Sequence, residues 1–348
     1  MSGHRSHDRQ GEDEEMLDER KGAILLAIVR EYIATGQPVG SALIAREPSV
    51  QVSSATVRNE MAVLEQEGYL QQPHTSAGRV PTDKAYRVFV DHLTTPGTLD
   101  AVRAQQVREF FATTHGALER MLHDTSRLLS KMTDYAAVVM GPPAEVASVR
   151  SVQLVGLSAR VVMAVAVLSN GAVENETIES AEDVPEAVVG AANAALARHL
   201  VGHTLSDRAA PPSTGDEAVD RLVGAAIDLL TSAVSRPDEH VYVGGTASLA
   251  AAFQAVDVVR SVLTTLEQQY VVVTLLRDMI DRGLSVAIGA EHGIEPLSVC
   301  SVVVAPYHVE GEPVGTVGLL GPTRMNYPQA LATVEVVSRR LGQRLSDG

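Results

Sequence analysis

The sequence predicts an α+β protein of several domains, and three observations carry that expectation. The chain has 348 residues, more than one ordinary domain of about 100–200 residues uses. Its hydrophobic fraction is 45%, enough for more than one core. Helical i, i+3, i+4 spacing prevails as far as Met132, whereas β-branched runs begin at Val149 and recur to Leu320.

Composition excludes several classes. Cys300 is the single cysteine, so no intrachain disulfide can form and a reducing, cytoplasmic setting is expected. Residues 1–20 are charged and lack the apolar stretch of a secretory signal. The longest apolar runs, such as 161–168, fall far short of the ~18 residues of a membrane span. A net charge of −15 does not suit a nucleic-acid binder unless the charges are segregated along the chain, and they are. Residues 1–19 form an acidic tail, expected to be disordered. Residues 20–90 carry eight Lys and Arg against six acids, while residues 91–348 carry 18 against 30.

The first helix is expected over 21–34, where Ile24, Leu25, Ile28, Val29, Tyr32 and Ile33 make one apolar stripe. Gly36 sits where a helix-ending glycine belongs, and Pro38 prevents continuation. A short second helix is expected over 41–46 and a turn over 48–52. The third helix starts at Ser53 or Ser54, both good caps, and ends at Gly68. Val57, Met61 and Leu64 point inward at i, i+4, i+7. The opposite face begins with Ser54, Ala55, Thr56, Arg58 and Asn59, all but Arg58 small. Such a face fits a DNA major groove: Ala55 can touch a thymine methyl, Asn59 can bind adenine, and Arg58 guanine or a phosphate. Residues 69–72, 73–78 and 79–81 then form strand, loop and strand, followed by a closing helix over 83–90 with Lys84 and Arg87.

Three helices and such a hairpin predict a winged helix-turn-helix in residues 20–95. Its candidate DNA contacts are Ser41, Ser53, Ser54, Ala55, Thr56, Arg58 and Asn59 on the helices. On the wing they are His74, Thr75, Ser76 and Arg79, with Arg79 suited to the backbone or minor groove. The plainer alternative is a structural unit in which Arg58 is a surface charge and His74 a solvated loop residue.

Residues 94–98, TTPGT, mark a domain boundary. Two helices follow, the second with Leu118, Met121, Leu122, Leu128, Leu129 and Met132 on one stripe. Runs at 149–157 and 161–168 about a short turn predict a hairpin. Helices are expected over 181–201, 218–234, 256–266 and around 275–281. Strands are expected from 241, over 284–288, 299–304 and 314–320. A terminal helix over 327–345 has Asn326 as its cap and Pro328 in its first turn.

Three strings carry a family resemblance: Val39-Gly40-Ser41, SSATVRNEM at 53–61, and QPHTSAGRVPT at 72–82. Further matches lie at 153–157, at VYVGGT over 241–246, and at PVGTVGLLGPTRMNY over 313–327. Together they resemble the HrcA family of heat-inducible repressors over roughly residues 17–345. The resemblance implies a winged helix and a GAF-like α/β domain over 96–179 and 241–348, with an inserted dimerisation domain over 180–240. It also implies a homodimer that binds an inverted-repeat DNA operator, CIRCE, upstream of chaperone operons. In the family the GroEL chaperonin keeps the repressor active, and heat stress releases the DNA.

No catalytic motif is present: G-x-S-x-G, H-E-x-x-H, the phosphate-binding P-loop and C-x-x-C are all missing. No enzyme activity, cofactor, metal or membrane partner is therefore expected. His199 and His203 could share a helix face but lack a third ligand. Cys300 reads as an inert core residue. Gly244-Gly245-Thr246 is a turn or an anion nest. Residues 321–325 form a turn that docks the last helix, or else a ligand surface. The rival to a chaperonin-assisted repressor is one whose GAF-like body senses a small molecule.

Overall fold

The computed structural model describes residues 17–346 except 75–76, 94–96, 114–117, 143–146, 170–171, 207–210, 212, 235–240, 254, 283–284 and 310. Residues 1–16 of the expected tail lie outside the described residues. The chain divides into two compact units, residues 1–94 and 95–348. The fold class is mixed α and β, as expected.

The first unit, the head, opens with α1 (Glu19–Thr35). Asp18, assigned to the tail from sequence, is its cap and accepts a 2.8 Å bond from the Lys21 amide. Gly36 closes the helix at φ 66 and donates to the Tyr32 carbonyl, a conformation that favours glycine. Helices α2 (Ser41–Ile44) and α3 (Ser54–Gln66) follow. Strands β1 (Leu70–Gln71) and β2 (Val80–Pro81) pair antiparallel, with Leu70 opposite Pro81, and α4 (Asp83–Asp91) closes the unit. The core is built from Ile24, Leu25 and Ile28 of α1, Val57 and Leu64 of α3, and Tyr86 and Phe89 of α4, all buried.

The second unit, the body, begins with α5 (Ala101–Thr113) and α6 (Leu118–Thr133). The chain then enters β3 (Ala136–Met140) and returns much later through β7 (Val241–Gly244). Helices α9 (Thr246–Ala251), α10 (Val256–Glu267) and α11 (Gln269–Asp281) lead to β8 (Val286–Ile288), β9 (Cys300–Val309), β10 (Glu312–Pro322) and α12 (Tyr327–Ser346). The five strands form one antiparallel sheet in the order β7-β3-β10-β9-β8. Ala136, Val138, Val302, Val304 and Leu320 pack with Leu249, Val262, Leu276 and Met279 of α9–α11. Helices α6 and α12 contact the same sheet.

Between Met140 and Val241 lies a separate three-stranded sheet, β4 (Val149–Ser158), β5 (Val161–Leu168) and β6 (Val173–Glu179), in that order. Helices α7 (Glu186–Leu200) and α8 (Glu217–Val234) pack on it. Asn193 of α7 binds both backbone groups of Leu154, accepting at 2.6 Å and donating at 3.1 Å. The hairpin predicted at 149–168 therefore forms, but it does not join the strands of the surrounding domain. Residues expected within 96–179 thus contribute to two separate sheets. Helix α7 also starts later than 181, because Pro185 is its cap residue and proline fits a helix only at its start.

Of residues 321–325, Gly321 and Pro322 end β10 and Thr323–Met325 lead into α12. Met325 is fully buried, the Asn326 amide donates to the Tyr135 hydroxyl at 2.8 Å, and the Asn326 side chain caps α12 through the Gln329 amide at 3.2 Å. Cys300 is buried, and burial pushes its thiol up to about 12. Gly244-Gly245 is a tight turn, with Gly245 at φ 75 pressed against Ser130 and the Tyr135 carbonyl. Gly245→Ala should cost about 2–3 kcal/mol. Gly190→Ala, in α7 with open space around it, should gain about 0.5–1 kcal/mol. Denaturant unfolding of the two variants should show opposite signs.

Candidate nucleic-acid interface

The geometry of the candidate face is set by two short connections. Between α2 and α3 the chain turns through Gln51, a non-glycine residue at φ 46. The Ser41 and Ser54 hydroxyls meet at 3.1 Å and tie the starts of α2 and α3 together. Ser53 caps α3, its hydroxyl accepting from the Thr56 amide at 3.1 Å and lying 2.9 Å from the Thr56 hydroxyl. The buried side of α3 consists of Val57, Met61 and Leu64. Ala55, Arg58, Asn59 and Ala62 are exposed. Among the described residues, no hydrogen bond or ion pair engages the side chains of Arg58 and Asn59. Of the expected contacts, then, Ser41, Ser54 and Thr56 are half-buried with bonded hydroxyls, Ser53 is exposed but acts as the cap, and Ala55, Arg58 and Asn59 stand free.

The β1–β2 ribbon is held from the other side. Val39 and Arg79 exchange two backbone bonds of 2.8 and 2.9 Å, so the segment before α2 is bridged antiparallel to the ribbon. Gly78 makes this possible: a Cβ there would overlap the Val39 backbone. Thr82 donates to the carbonyls of Gly68 at 2.7 Å and Tyr69 at 3.0 Å, which fixes the ribbon to the end of α3. Gln72 spans the loop, donating to the Ala77 carbonyl at 3.1 Å. Pro73 and His74 are exposed at the loop. Thr75 and Ser76 lie outside the described residues.

Arg79 does not project from the ribbon as expected of a phosphate contact. Its guanidinium reaches back to Glu65 of α3 at 2.8 Å, its side chain only 20% exposed. Other cations of the head are spent similarly: Arg20 on Glu60 at 2.8 Å, Lys21 on Glu67 at 3.0 Å, Arg87 on Asp91 at 3.4 Å. Lys84 lies 4.1 Å over the Tyr69 ring and donates to the Glu67 carbonyl at 3.1 Å. Among the described residues, Arg30, Arg46 and Arg58 have no ion-pair partner. Sequence reasoning missed Glu60, Glu65 and Glu67 as internal partners, because none sits at a helical i, i+4 spacing from its cation. In the body, α7 ends at Leu200, so His203 lies beyond it and does not share a helix face with His199.

The comparisons with known proteins agree with this architecture. The family description "HrcA protein C terminal domain" matches residues 119–331. A "Heat-inducible transcription repressor HrcA" of Moorella thermoacetica is 39% identical over 337 residues, covering 94% of this chain and 98% of the relative. The chain belongs to the HrcA family. Relatives of the same name from Thermobifida fusca and Nocardia farcinica are 38% and 37% identical and cover 96% and 95% of this chain, and 99% and 97% of their own. Because the matched family description lies within the body, the head's place in HrcA rests on these near-full-length matches. A crystal structure of a hypothetical protein at 2.2 Å shares the fold, with a TM-score of 0.66 at 24% identity, covering 95% of this HrcA chain and 99% of that one.

The Val39 contact gives a direct test of the frame. Gly78→Ala should break the Val39–Arg79 bridge and destabilise the head by about 2 kcal/mol or more. Native-state hydrogen exchange should show lost protection at the Val39 and Arg79 amides while the five-stranded sheet keeps its own.

Proposed function

We propose that the head is a winged helix-turn-helix, with α3 as its recognition helix and residues 70–81 as its wing, and that the chain is a heat-inducible transcription repressor acting as a homodimer on an inverted-repeat operator. The observation that carries this is the N-terminal half of α3. It is exposed, small and polar, its Arg58 and Asn59 side chains are unengaged, and the rest of the head has spent most of its charge on rigidity. Small residues let a helix seat deep in the major groove, and Arg and Asn are the side chains that read guanine and adenine edges bidentately. The names of the near-full-length relatives support the repressor role.

The body supports the dimer. On β5, Val161, Met163, Val165 and Val167 alternate with the buried Val162, Ala164, Ala166 and Leu168. The first set lies on the sheet face away from α7 and α8, with the exposed Val155, Leu157 and Val173 beside it. An apolar stripe of this kind, bordered by Gln153, Asn175 and Thr177, fits an association surface. The inserted dimerisation domain accordingly runs from about 141 to 240, inside a GAF-like domain. Two heads on one dimer would read two half-sites and multiply their discrimination. The acidic body, net negative over 91–348, would keep DNA on the heads. CIRCE as operator and GroEL as the partner that sustains repression follow from the family resemblance.

Arg58→Ala and Asn59→Ala should each weaken operator binding by about 1–3 kcal/mol in a gel shift with full-length chain. Unchanged affinity in both would sink the recognition face. Val165→Lys should shift the chain toward monomer in sedimentation velocity. A dimer unaffected by this charge would place the interface elsewhere.

A further inference from the structure

The Arg79–Glu65 pair joins two elements that the proposed function uses separately, and its geometry is unusual for a surface ion pair. The Arg79 backbone is fixed by both bonds to Val39, and Gly78 is pressed onto the same residue. The guanidinium therefore leaves a rigid point and ends on α3. Its Nε is buried without an acceptor among the described residues, so the side chain is held inward at the cost of one unmade hydrogen bond. Glu65 is seven residues from Arg58, two turns along α3 on nearly the same face and about 10 Å further down the axis. A carboxylate placed there faces the side that would meet DNA and, by charge alone, would oppose binding.

Resting on the winged-helix function proposed above, we propose that Glu65 is a positioning residue for operator recognition. By holding Arg79, it sets the wing at a fixed angle to the recognition helix, so that wing and helix meet the duplex in register. Glu65 contributes a tether rather than a contact. Arg79 acts through Glu65 and is not itself a phosphate ligand.

This role predicts a sign that electrostatics alone would reverse. Removing a negative charge from a DNA-binding head should strengthen binding to any duplex. Removing a tether should weaken binding to the specific duplex. The experiment uses full-length chain and fluorescence anisotropy with two probes: the inverted-repeat duplex that wild-type chain recovers from a randomised library, and a scrambled duplex of equal length. Glu65→Gln should weaken binding to the inverted repeat at least fivefold and leave the scrambled duplex as tight or tighter. Adding Arg79→Ala to Glu65→Gln should cost less than twofold more, since the pair acts as a unit. Circular-dichroism melting of both variants checks that the head stays folded, and Glu65→Asp, which keeps the charge on a shorter stem, should recover part of the selectivity.

Equal or tighter binding of Glu65→Gln to the inverted repeat overturns the role. So does a double variant whose losses multiply, or an Arg79→Ala variant that lowers the salt slope by about one on both probes, as a lost phosphate contact would. Wild-type chain that recovers no inverted repeat overturns the functional proposal itself and this role with it. That failure shows in the wild type and is distinct from the others.

Discussion

The head depends on one close approach of backbone to backbone. Val39 lies in the connection between α1 and α2, and Arg79 lies just before β2. Their paired bonds and the bare Cα of Gly78 bring these segments together. Besides that contact, the ribbon packs through β2 on α1 and α4 and through β1 on α3. With the contact, the segment that leads into α2 is bridged to the residue just before β2. The hydrophobic side of α3, Val57, Met61 and Leu64, seats that helix on the core, as usual for a short amphipathic helix. The backbone bridge supplies the orientation.

Charge plays a matching part. Exposed ion pairs contribute little to stability, and those of the head are spread over α1, α3, α4 and β2 rather than concentrated in one core. Their consequence is selection: Glu60, Glu65 and Glu67 along α3 draw Arg20, Arg79 and Lys21 to themselves. Arg58, one turn from the start of the helix, has no such partner among the described residues. A modest excess of positive charge spread through sequence becomes, in three dimensions, a set of engaged cations and an available few. The proposed tether between Glu65 and Arg79 is an outcome of that same division.

In the body the controlling element is β3. It lies between β7 and β10, so one short strand holds the place where the chain leaves the five-stranded sheet and the place where it returns. Everything between Met140 and Val241 can then fold on its own three-stranded sheet without disturbing the larger one. The larger sheet is closed by tight contacts. Tyr307 donates from its hydroxyl to the Met140 carbonyl at 3.0 Å, its ring fills the space a side chain at Gly315 would need, and Tyr327 joins Ser301 to the Thr323 carbonyl at 2.8 and 2.6 Å.

Sequence by itself determined the local elements and the exposed N-terminal face of α3. The stripe of α1, the glycine at its end, the serine cap of α3 and the small polar run from Ser54 to Asn59 are all properties of neighbours within a few residues, where 3.6-residue periodicity and capping chemistry act directly. The family strings added the family. Tertiary structure alone decided three things. It set β3, a five-residue apolar run too short for periodicity to separate from the helix before it. It moved the predicted hairpin into a sheet of its own, because strand pairing is a choice among distant partners that no local pattern encodes. And it turned Arg79 inward, because Glu65 lies fourteen residues away in sequence and 2.8 Å away in space, a proximity that only the closed ribbon creates.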